Sequence, residues 1–135
     1  MRNKNRQIQK RRGKLMLTEK HHRRPRSLNG SSDLYNISYV TPDLHDAWHI
    51  LFSNLNAEQI CNKLNSFSWI PKGITVICIF INGHPVEKVG KDNWRNEEKI
   101  KKAWNLLFKR SEFKPILNYI NNVWLDPSYR FYIKR

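Results

Sequence analysis

The sequence predicts one α+β domain, and two patterns in its 135 residues carry that prediction. Apolar residues recur at helical spacing in four separate segments, whereas residues 74–81 form an uninterrupted β-branched run of the length of a strand. A chain of this length buries a modest core and does not accommodate two domains of ordinary size. We therefore expect helices and strands around one core, with attached segments.

Positive charge is concentrated at the start of the chain. The net charge is +14, and residues 1–26 contain eleven Lys or Arg against one acid, Glu19, so this segment supplies +10 of the total. Residues 1–14 are almost free of apolar side chains and cannot fold on their own. Such a segment either binds the phosphates of a nucleic acid or forms a solvated tail. The residues expected to bind nucleic acid are Arg11, Arg12, Lys14, Lys20, Arg23, Arg24 and Arg26.

Two classes of protein are not expected from this sequence. Only three apolar residues, at positions 15–17, follow the initial charges, which is too few for a signal peptide, and no apolar run is long enough to span a membrane. Cys61 and Cys78 lie in apolar surroundings without a Cys-x-x-Cys pattern, so neither a disulfide framework nor a zinc ribbon is indicated. We expect buried thiols in a cytoplasmic protein that has no membrane partner.

His45 and His49 lie four residues apart in a segment whose apolar residues recur on one helical face. Pro42 suits the first turn of such a helix, with Thr41 or Asp43 as its cap. Side chains at i and i+4 are about 5 to 6 Å apart on a helix surface, so both imidazoles project to one side and can bind one ion. Two ligands do not complete a metal site.

The remaining ligands are expected from His21 and His22, which follow an apolar stretch that we expect to be extended. Neighbouring side chains on a strand point to opposite faces, so only one of this pair faces an ion that the helix binds. The consecutive histidines therefore predict two different roles. Four of the five histidines fall within residues 19–49, and metal or phosphate chemistry would explain that density.

The polar residues of this segment resemble the motif of HNH endonucleases. Glu-x-His-His is followed by a loop that carries Pro25 and Asn29-Gly30, then by Asn36 and by the helical histidine pair. The arrangement is similar to the ββα-metal, or His-Me finger, fold, and its spacing is most similar to that of the DNase domains of nuclease colicins. The resemblance covers residues 19–56. One departure is that Asn29-Gly30 replaces the paired glycines often found in this loop, which leaves its turn geometry open.

The resemblance implies a role for each matching residue. His22 would be the general base, Asn36 would fix the loop and help to position that base, and Glu19 would brace the site. The implied activity is endonucleolytic hydrolysis of phosphodiester bonds with one bound divalent metal ion. The implied metal ligands are His21, His45 and His49.

These residue types suit phosphodiester hydrolysis. A neutral imidazole with a pKa of about 6.5 accepts a proton from water at pH 7. A divalent ion bound by neutral histidines keeps its full charge for the phosphoryl oxygens and the departing 3′ oxygen. Three imidazoles favour zinc, nickel or manganese over magnesium, which prefers oxygen ligands, and the sequence leaves the identity of the ion open.

Double-stranded DNA is the expected substrate, and RNA is an alternative because the site contacts a phosphate and need not read a base. The runner-up function is a non-catalytic, basic nucleic-acid-binding protein, a degenerate HNH motif within a larger nucleoprotein assembly. The oligomeric state does not follow from the sequence. We divide the chain into a basic N-terminal arm (residues 1–18), an HNH-like ββα-metal core (residues 19–66) and a C-terminal α+β extension of unknown role (residues 67–135).

Three further helices are predicted after the motif. Residues 56–65 have Asn56 as a cap, with Ile60 and Leu64 facing inward. Two later helices, at residues 97–109 and 112–124, each carry an apolar face at helical offsets, which is typical of core packing.

The same region also predicts strands. The run at residues 74–81 is expected to be a strand buried on both faces. Asn82-Gly83 is typical of a hairpin turn, so we expect a partner strand at residues 84–89. The aromatic and basic residues at 124–135 either stack on nucleic-acid bases or form a terminal strand that seals the core.

Overall fold

The computed structural model describes residues 6–11, 14–81, 97–109 and 111–134, with side chains described from Leu17 onward. Five strands and four α-helices occur in this part of the chain, which confirms the predicted α+β class. The hairpin turn expected at Asn82-Gly83 and the partner strand expected at residues 84–89 lie outside the described residues.

The first sheet is antiparallel, with strand order β1-β2-β3. Strand β1 (Arg6–Arg11) pairs with the first part of β2 (Lys14–His22), and β3 (Ile37–Val40) pairs with its last part. Residues 6–11 of the predicted basic arm therefore belong to this sheet. The extended conformation expected before the consecutive histidines is confirmed by β2.

Helix α1 (Pro42–Phe52) follows β3 after a single residue. Thr41 occupies the N-cap position and Pro42 the first turn, as expected, although the Thr41 hydroxyl donates to the Asp43 carboxylate at 2.6 Å and accepts no capping hydrogen bond from the helix backbone. The apolar face of α1 is buried, as its periodicity predicts. Because β3 is antiparallel to β2 and leads directly into α1, this helix returns beside β2.

Helix α2 (Ala57–Ser66) begins where the sequence places it. Asn56 and Gln59 form a reciprocal capping box, in which each side chain accepts from the backbone N–H of the other residue. Ile60 and Leu64 are buried, as expected.

A second antiparallel sheet joins β4 (Thr75–Phe80) to β5 (Tyr129–Lys134). The predicted burial of β4 on both faces is wrong, since Ile79 is 42% and Phe80 is 44% exposed. Among the described residues, two strands form this sheet and the helices cover one face of it. Phe131 on β5 is buried, so the end of the chain forms the sealing strand, which was one of the two alternatives.

Asparagine side chains close both outer edges of this two-stranded sheet. Asn65 of α2 accepts from the backbone N–H of Val76 at 2.8 Å and donates to its carbonyl at 2.9 Å. Asn121 makes the same pair of bonds with Phe131, at 2.8 and 3.0 Å. Each amide therefore imitates the peptide group of a neighbouring strand and satisfies backbone groups that an edge leaves open.

The last helices are α3 (Glu97–Phe108) and α4 (Phe113–Tyr119), and α4 continues as a π-helix (Ile120–Trp124). Both predicted helices are confirmed, and the final π-helical turn is an addition that the apolar spacing does not reveal. No helix in the described ranges is long and apolar enough to cross a membrane.

One hydrophobic core contains residues from both the predicted motif segment and the predicted extension. In particular, the indole rings of Trp48 in α1 and Trp124 in the π-helix stack with their centroids 5.0 Å apart. Residues 19–66 therefore share their core with residues 67–135.

The two cysteines are free thiols, with Cys61 buried and Cys78 half-buried. Burial raises the pKa of Cys61 to about 11 and that of Cys78 to about 12, so neither is a thiolate at neutral pH.

The edge caps give a test of the fold. Replacing Asn121 by Ala leaves the buried N–H and C=O of Phe131 without their partners, so we expect a loss of about 2 kcal/mol or more in the free energy of unfolding. Asn118→Ala removes an exposed amide from the preceding helix and serves as the matched control. Urea denaturation followed by circular dichroism measures both, and equal stability of the two variants would contradict the role of the cap.

Candidate metal centre

Strand β2 and helix α1 bring three histidines together. One ring nitrogen each of His21, His45 and His49 lie within 4.8 Å of one another, which is close enough for the three to hold one metal ion. His21 is on the face of β2 that packs against α1, and the other two are one turn apart on the helix. The i, i+4 spacing therefore places both helical imidazoles on one side, as predicted.

The imidazoles of His45 and His49 are each oriented by a hydrogen-bond acceptor at Nδ1. His45 Nδ1 donates to the Glu19 carboxylate at 2.9 Å, and His49 Nδ1 donates to the Ser53 carbonyl at 3.1 Å. Because these oxygens can only accept, the neutral form of each ring has its proton at Nδ1 and its lone pair at Nε2. The two Nε2 atoms are 3.1 Å apart. Two nitrogens on one tetrahedral zinc are separated by roughly 3.3 Å, so this spacing suits shared ligation.

His21 is oriented in the same way from the opposite side. Its Nε2 donates to the backbone carbonyl of Trp124 at 2.9 Å, which leaves Nδ1 as the nitrogen with a free lone pair. The ring is 3% exposed and lies beside the indoles of Trp124 and Trp48, with centroid separations of 4.9 and 6.1 Å. Burial is the main reason that the pKa of His21 is lowered to about 3. This imidazole is therefore neutral at pH 7, as a metal ligand must be.

The end of the π-helix docks on β2 and β3 through further carbonyls. Besides the carbonyl that accepts from His21, those of Asn121 and Leu125 accept from the Arg23 guanidinium, and that of Val123 accepts from the Ser38 hydroxyl. The last carbonyls of a helix have no partner within it, so these side chains supply partners that the fold requires. The predicted extension thus helps to position a predicted ligand, and no side-chain pattern in the sequence indicates this.

The imidazoles open on a cleft of about 220 Å³. Among the described residues that line it, Lys20 and Arg26 are cationic and none is acidic. The lining consists of Lys20, His21, His22, Pro25, Arg26, Ser27, His45, His49 and Asn54. A concave site with this charge suits a phosphate or another anion.

His22 lies on the same cleft but outside the group of three. Its Nε2 is 3.4 Å from the Ser32 hydroxyl, and the residue is half-buried. Burial lowers the pKa of His22, and the nearby Arg26 and Lys20 lower it further. The ring is therefore neutral at pH 7 and can accept a proton. The two consecutive histidines take different positions, as strand alternation predicts.

Asn36 fixes the loop that follows the consecutive histidines. Its buried amide accepts from the backbone N–H of Arg24 at 2.7 Å and donates to the carbonyls of Arg24 and Ser31 at 3.2 and 2.7 Å. The loop-fixing position implied by the HNH resemblance therefore fits the geometry. The amide holds the backbone of the loop, and its hydrogen bonds do not go to the ring of His22.

The structure shows the turn geometry at Asn29-Gly30, which the sequence did not determine. Asn29 adopts a left-handed conformation with φ of 66°, which asparagine tolerates better than most residues. At Gly30, a Cβ atom would lie 1.8 Å from the carbonyl oxygen of Arg24, so only glycine fits this close approach.

The basic residues divide into two groups. Arg23 and Arg24 differ from the expectation that they contact phosphates, because both guanidinium groups bind within the protein. Arg24 donates to the Leu28 carbonyl at 2.7 Å and pairs with Asp126 at 3.2 Å. Lys20 and Arg26 line the cleft and remain available to an anion. Three other expected contact residues cannot be placed in either group. Arg12 lies outside the described part of the chain, as do the side chains of Arg11 and Lys14.

Comparisons of the chain with protein-family models, with curated proteins and with solved structures gave no match. The chemistry of the site therefore has to be inferred from its own geometry. Three imidazoles can hold a divalent cation, two cationic side chains can attract an anion, and a fourth imidazole can accept a proton.

The Glu19–His45 contact provides a test of this arrangement. Glu19→Gln keeps the shape of the side chain but removes the charge that stabilises the metal-binding tautomer of His45. We expect zinc affinity to fall by about 10- to 100-fold, as is usual when such a partner is changed. Isothermal titration calorimetry measures the affinity, with Glu98→Gln, at an exposed position on α3, as the matched control. Unchanged affinity in Glu19→Gln would show that the carboxylate does not orient His45.

Proposed function

We propose that this protein is a metal-dependent endonuclease of the HNH type that hydrolyses phosphodiester bonds in DNA. The observation that carries the proposal is the sharing of one basic cleft by a group of three histidines and by a fourth, separate histidine. Metal ligation and proton transfer need different histidines, and the cleft provides both kinds.

The local topology supports the same assignment. Strands β2 and β3 and helix α1 follow one another in the order of a ββα-metal motif, with one ligand on the first strand and two on the helix. The loop between the strands is held by Asn36, in the position that the resemblance implies.

The three oriented imidazoles suit one divalent ion such as zinc, nickel or manganese, and suit magnesium less well. When bound, such an ion would neutralise charge on the phosphoryl group and act as a Lewis acid toward the departing 3′ oxygen. Glu19 and the Trp124 carbonyl keep two of the ligands in the tautomer that this binding requires.

The remaining steps fall to the side chains of the cleft. Lys20 and Arg26 attract the phosphodiester, and His22 accepts a proton from the attacking water. The water oxygen then bonds to phosphorus, the bond to the 3′ oxygen breaks, and that oxygen takes a proton from solvent. The lowered pKa of His22 keeps the ring in its proton-accepting form at pH 7.

A plasmid-relaxation assay tests the proposal. The full chain is stripped of metal with EDTA and then supplied separately with zinc, nickel, manganese or magnesium. We expect cleavage to be absent without metal and restored by at least one of the first three ions. The same assay on a labelled RNA of similar length decides whether the cleavage is confined to DNA.

Two variants separate ligation from proton transfer. His49→Ala removes one ligand, so metal affinity and cleavage should fall together. His22→Ala removes the base alone, so calorimetry should still detect one ion per chain while cleavage falls by roughly 10² to 10⁴. The control is His84→Ala, which changes the fifth histidine of the chain.

The outcomes are distinct. Normal cleavage by His22→Ala would overturn the assignment of the base, and loss of metal by that variant would mean that His21 and His22 exchange roles. If the wild-type protein binds metal and DNA without cutting in any of the four ions, the non-catalytic nucleic-acid-binding alternative replaces the nuclease.

A further inference from the structure

Two large apolar side chains project into solvent from the loop between β2 and β3. Leu34 is 85% exposed, the most of any large hydrophobic residue in the described part of the chain, and Tyr35 beside it is 59% exposed. Single exposed apolar residues are common on protein surfaces, whereas contiguous exposed apolar surface marks interaction sites. We call Leu34 and Tyr35 the apolar tip.

The turn that carries the apolar tip is firmly anchored. It is a single 3₁₀ turn, Leu34–Asn36, closed by the bond from the Asn36 N–H to the Asp33 carbonyl at 2.9 Å. The Asn36 carbonyl accepts from the backbone N–H of Arg23 at 2.8 Å, and the Asn36 side chain is buried in the loop. The two apolar side chains are therefore presented outward by a turn whose backbone is fixed on the other side.

The apolar tip adjoins the proposed general base. Ser32, two residues before Leu34, has its hydroxyl 3.4 Å from His22 Nε2, and Ile37, two residues after Tyr35, pairs with His22 in the sheet. Two residues of chain span at most about 7 Å, so both sides of the turn start next to His22. Successive bases on one strand are about 3.4 Å apart, so this reach corresponds to a few nucleotides.

We propose that Leu34 and Tyr35 contact the bases of the nucleic-acid strand that is cut, within about three nucleotides of the scissile phosphate. The inference rests on the proposed function, because the phosphate held in the cleft is what places a strand beside the apolar tip. Bases offer the apolar faces that these side chains fit, with tyrosine stacking on a base and leucine wedging between neighbouring bases.

The surrounding charge favours nucleic acid as the occupant. Lys20 and Arg26 line the adjoining cleft, so a polyanion is drawn to this side of the molecule. Tyr39, which is 37% exposed, pairs with Lys20 in the sheet and lies on the same face of the strands as His22. Apolar and aromatic groups interleaved with cations are the usual composition of a surface that binds strands by stacking.

The experiment compares a substrate with bases and one without. Leu34→Ser and Tyr35→Ser are assayed with plasmid DNA and with bis(p-nitrophenyl) phosphate, a diester that has no nucleobases. The matched controls are Leu106→Ser on α3 and Tyr132→Ser on β5, which are 45% and 47% exposed. Because all four side chains are exposed, none of these changes should lower the unfolding midpoint appreciably.

We expect DNA cleavage by the two tip variants to fall by about 5- to 150-fold, the usual effect of losing one stacked base contact. Hydrolysis of the model diester and zinc affinity should not change, since neither involves a base. Both controls should behave as wild type. DNA cleavage by the tip variants that equals that of the controls would overturn the proposal.

A measurement of DNA affinity tests the base contacts independently of the proposed nuclease activity. Each tip variant is combined with His22→Ala, and the affinity for a fluorescein-labelled DNA duplex is measured by anisotropy at several salt concentrations. We expect weaker binding with an unchanged salt slope, because the lost contacts are uncharged. This result is required even if the wild-type chain cuts neither substrate, in which case the nuclease proposal alone fails. Unchanged affinity would exclude nucleic acid as the occupant.

Discussion

The arrangement of the site depends on the docking of the C-terminal π-helix against β2. The end of that helix has carbonyls without helical partners, and His21, Arg23 and Ser38 supply the missing donors. These bonds satisfy the helix end and at the same time fix the ring of one candidate ligand. The partial negative charge at a helix C-terminus also favours a cation nearby. One set of contacts therefore serves both the fold and the metal centre.

Burial makes this arrangement rigid. Glu19 and His21 are both almost fully buried, and a buried polar group without a partner is costly, so the bonds from His45 to Glu19 and from His21 to the Trp124 carbonyl hold two imidazoles in place. The stacked indoles of Trp48 and Trp124 both lie beside the His21 ring. One ring nitrogen from each of the three histidines therefore lies within 4.8 Å of the others in the folded protein, which lowers the entropy that binding a metal ion would cost.

Local patterns in the sequence predict the parts of the site that depend on neighbouring residues. The i, i+4 spacing places His45 and His49 on one side of α1, strand alternation separates His21 from His22, and Asn56 caps the helix after α1. These features follow from helix and strand geometry alone, and the structure agrees with each of them.

Other parts of the site depend on tertiary contacts that local patterns do not encode. The Trp124 carbonyl lies 103 residues from His21, and any residue type would provide that oxygen. Arg23 and Arg24 read as phosphate contacts because they belong to a basic run, yet helix carbonyls and Asp126 engage them. The apolar run of β4 indicates a strand, but it does not show whether other elements pack on one face of that strand or on both. The exposure of Ile79 and Phe80 was therefore not predictable.

X-ray absorption spectroscopy of the zinc-loaded full chain tests the central claim that His21, His45 and His49 bind one ion. The claim requires three imidazole nitrogens at about 2.0 to 2.1 Å from the zinc, and two in the His45→Ala variant. A sulfur ligand at about 2.3 Å, or an unchanged number of imidazoles in that variant, would contradict it.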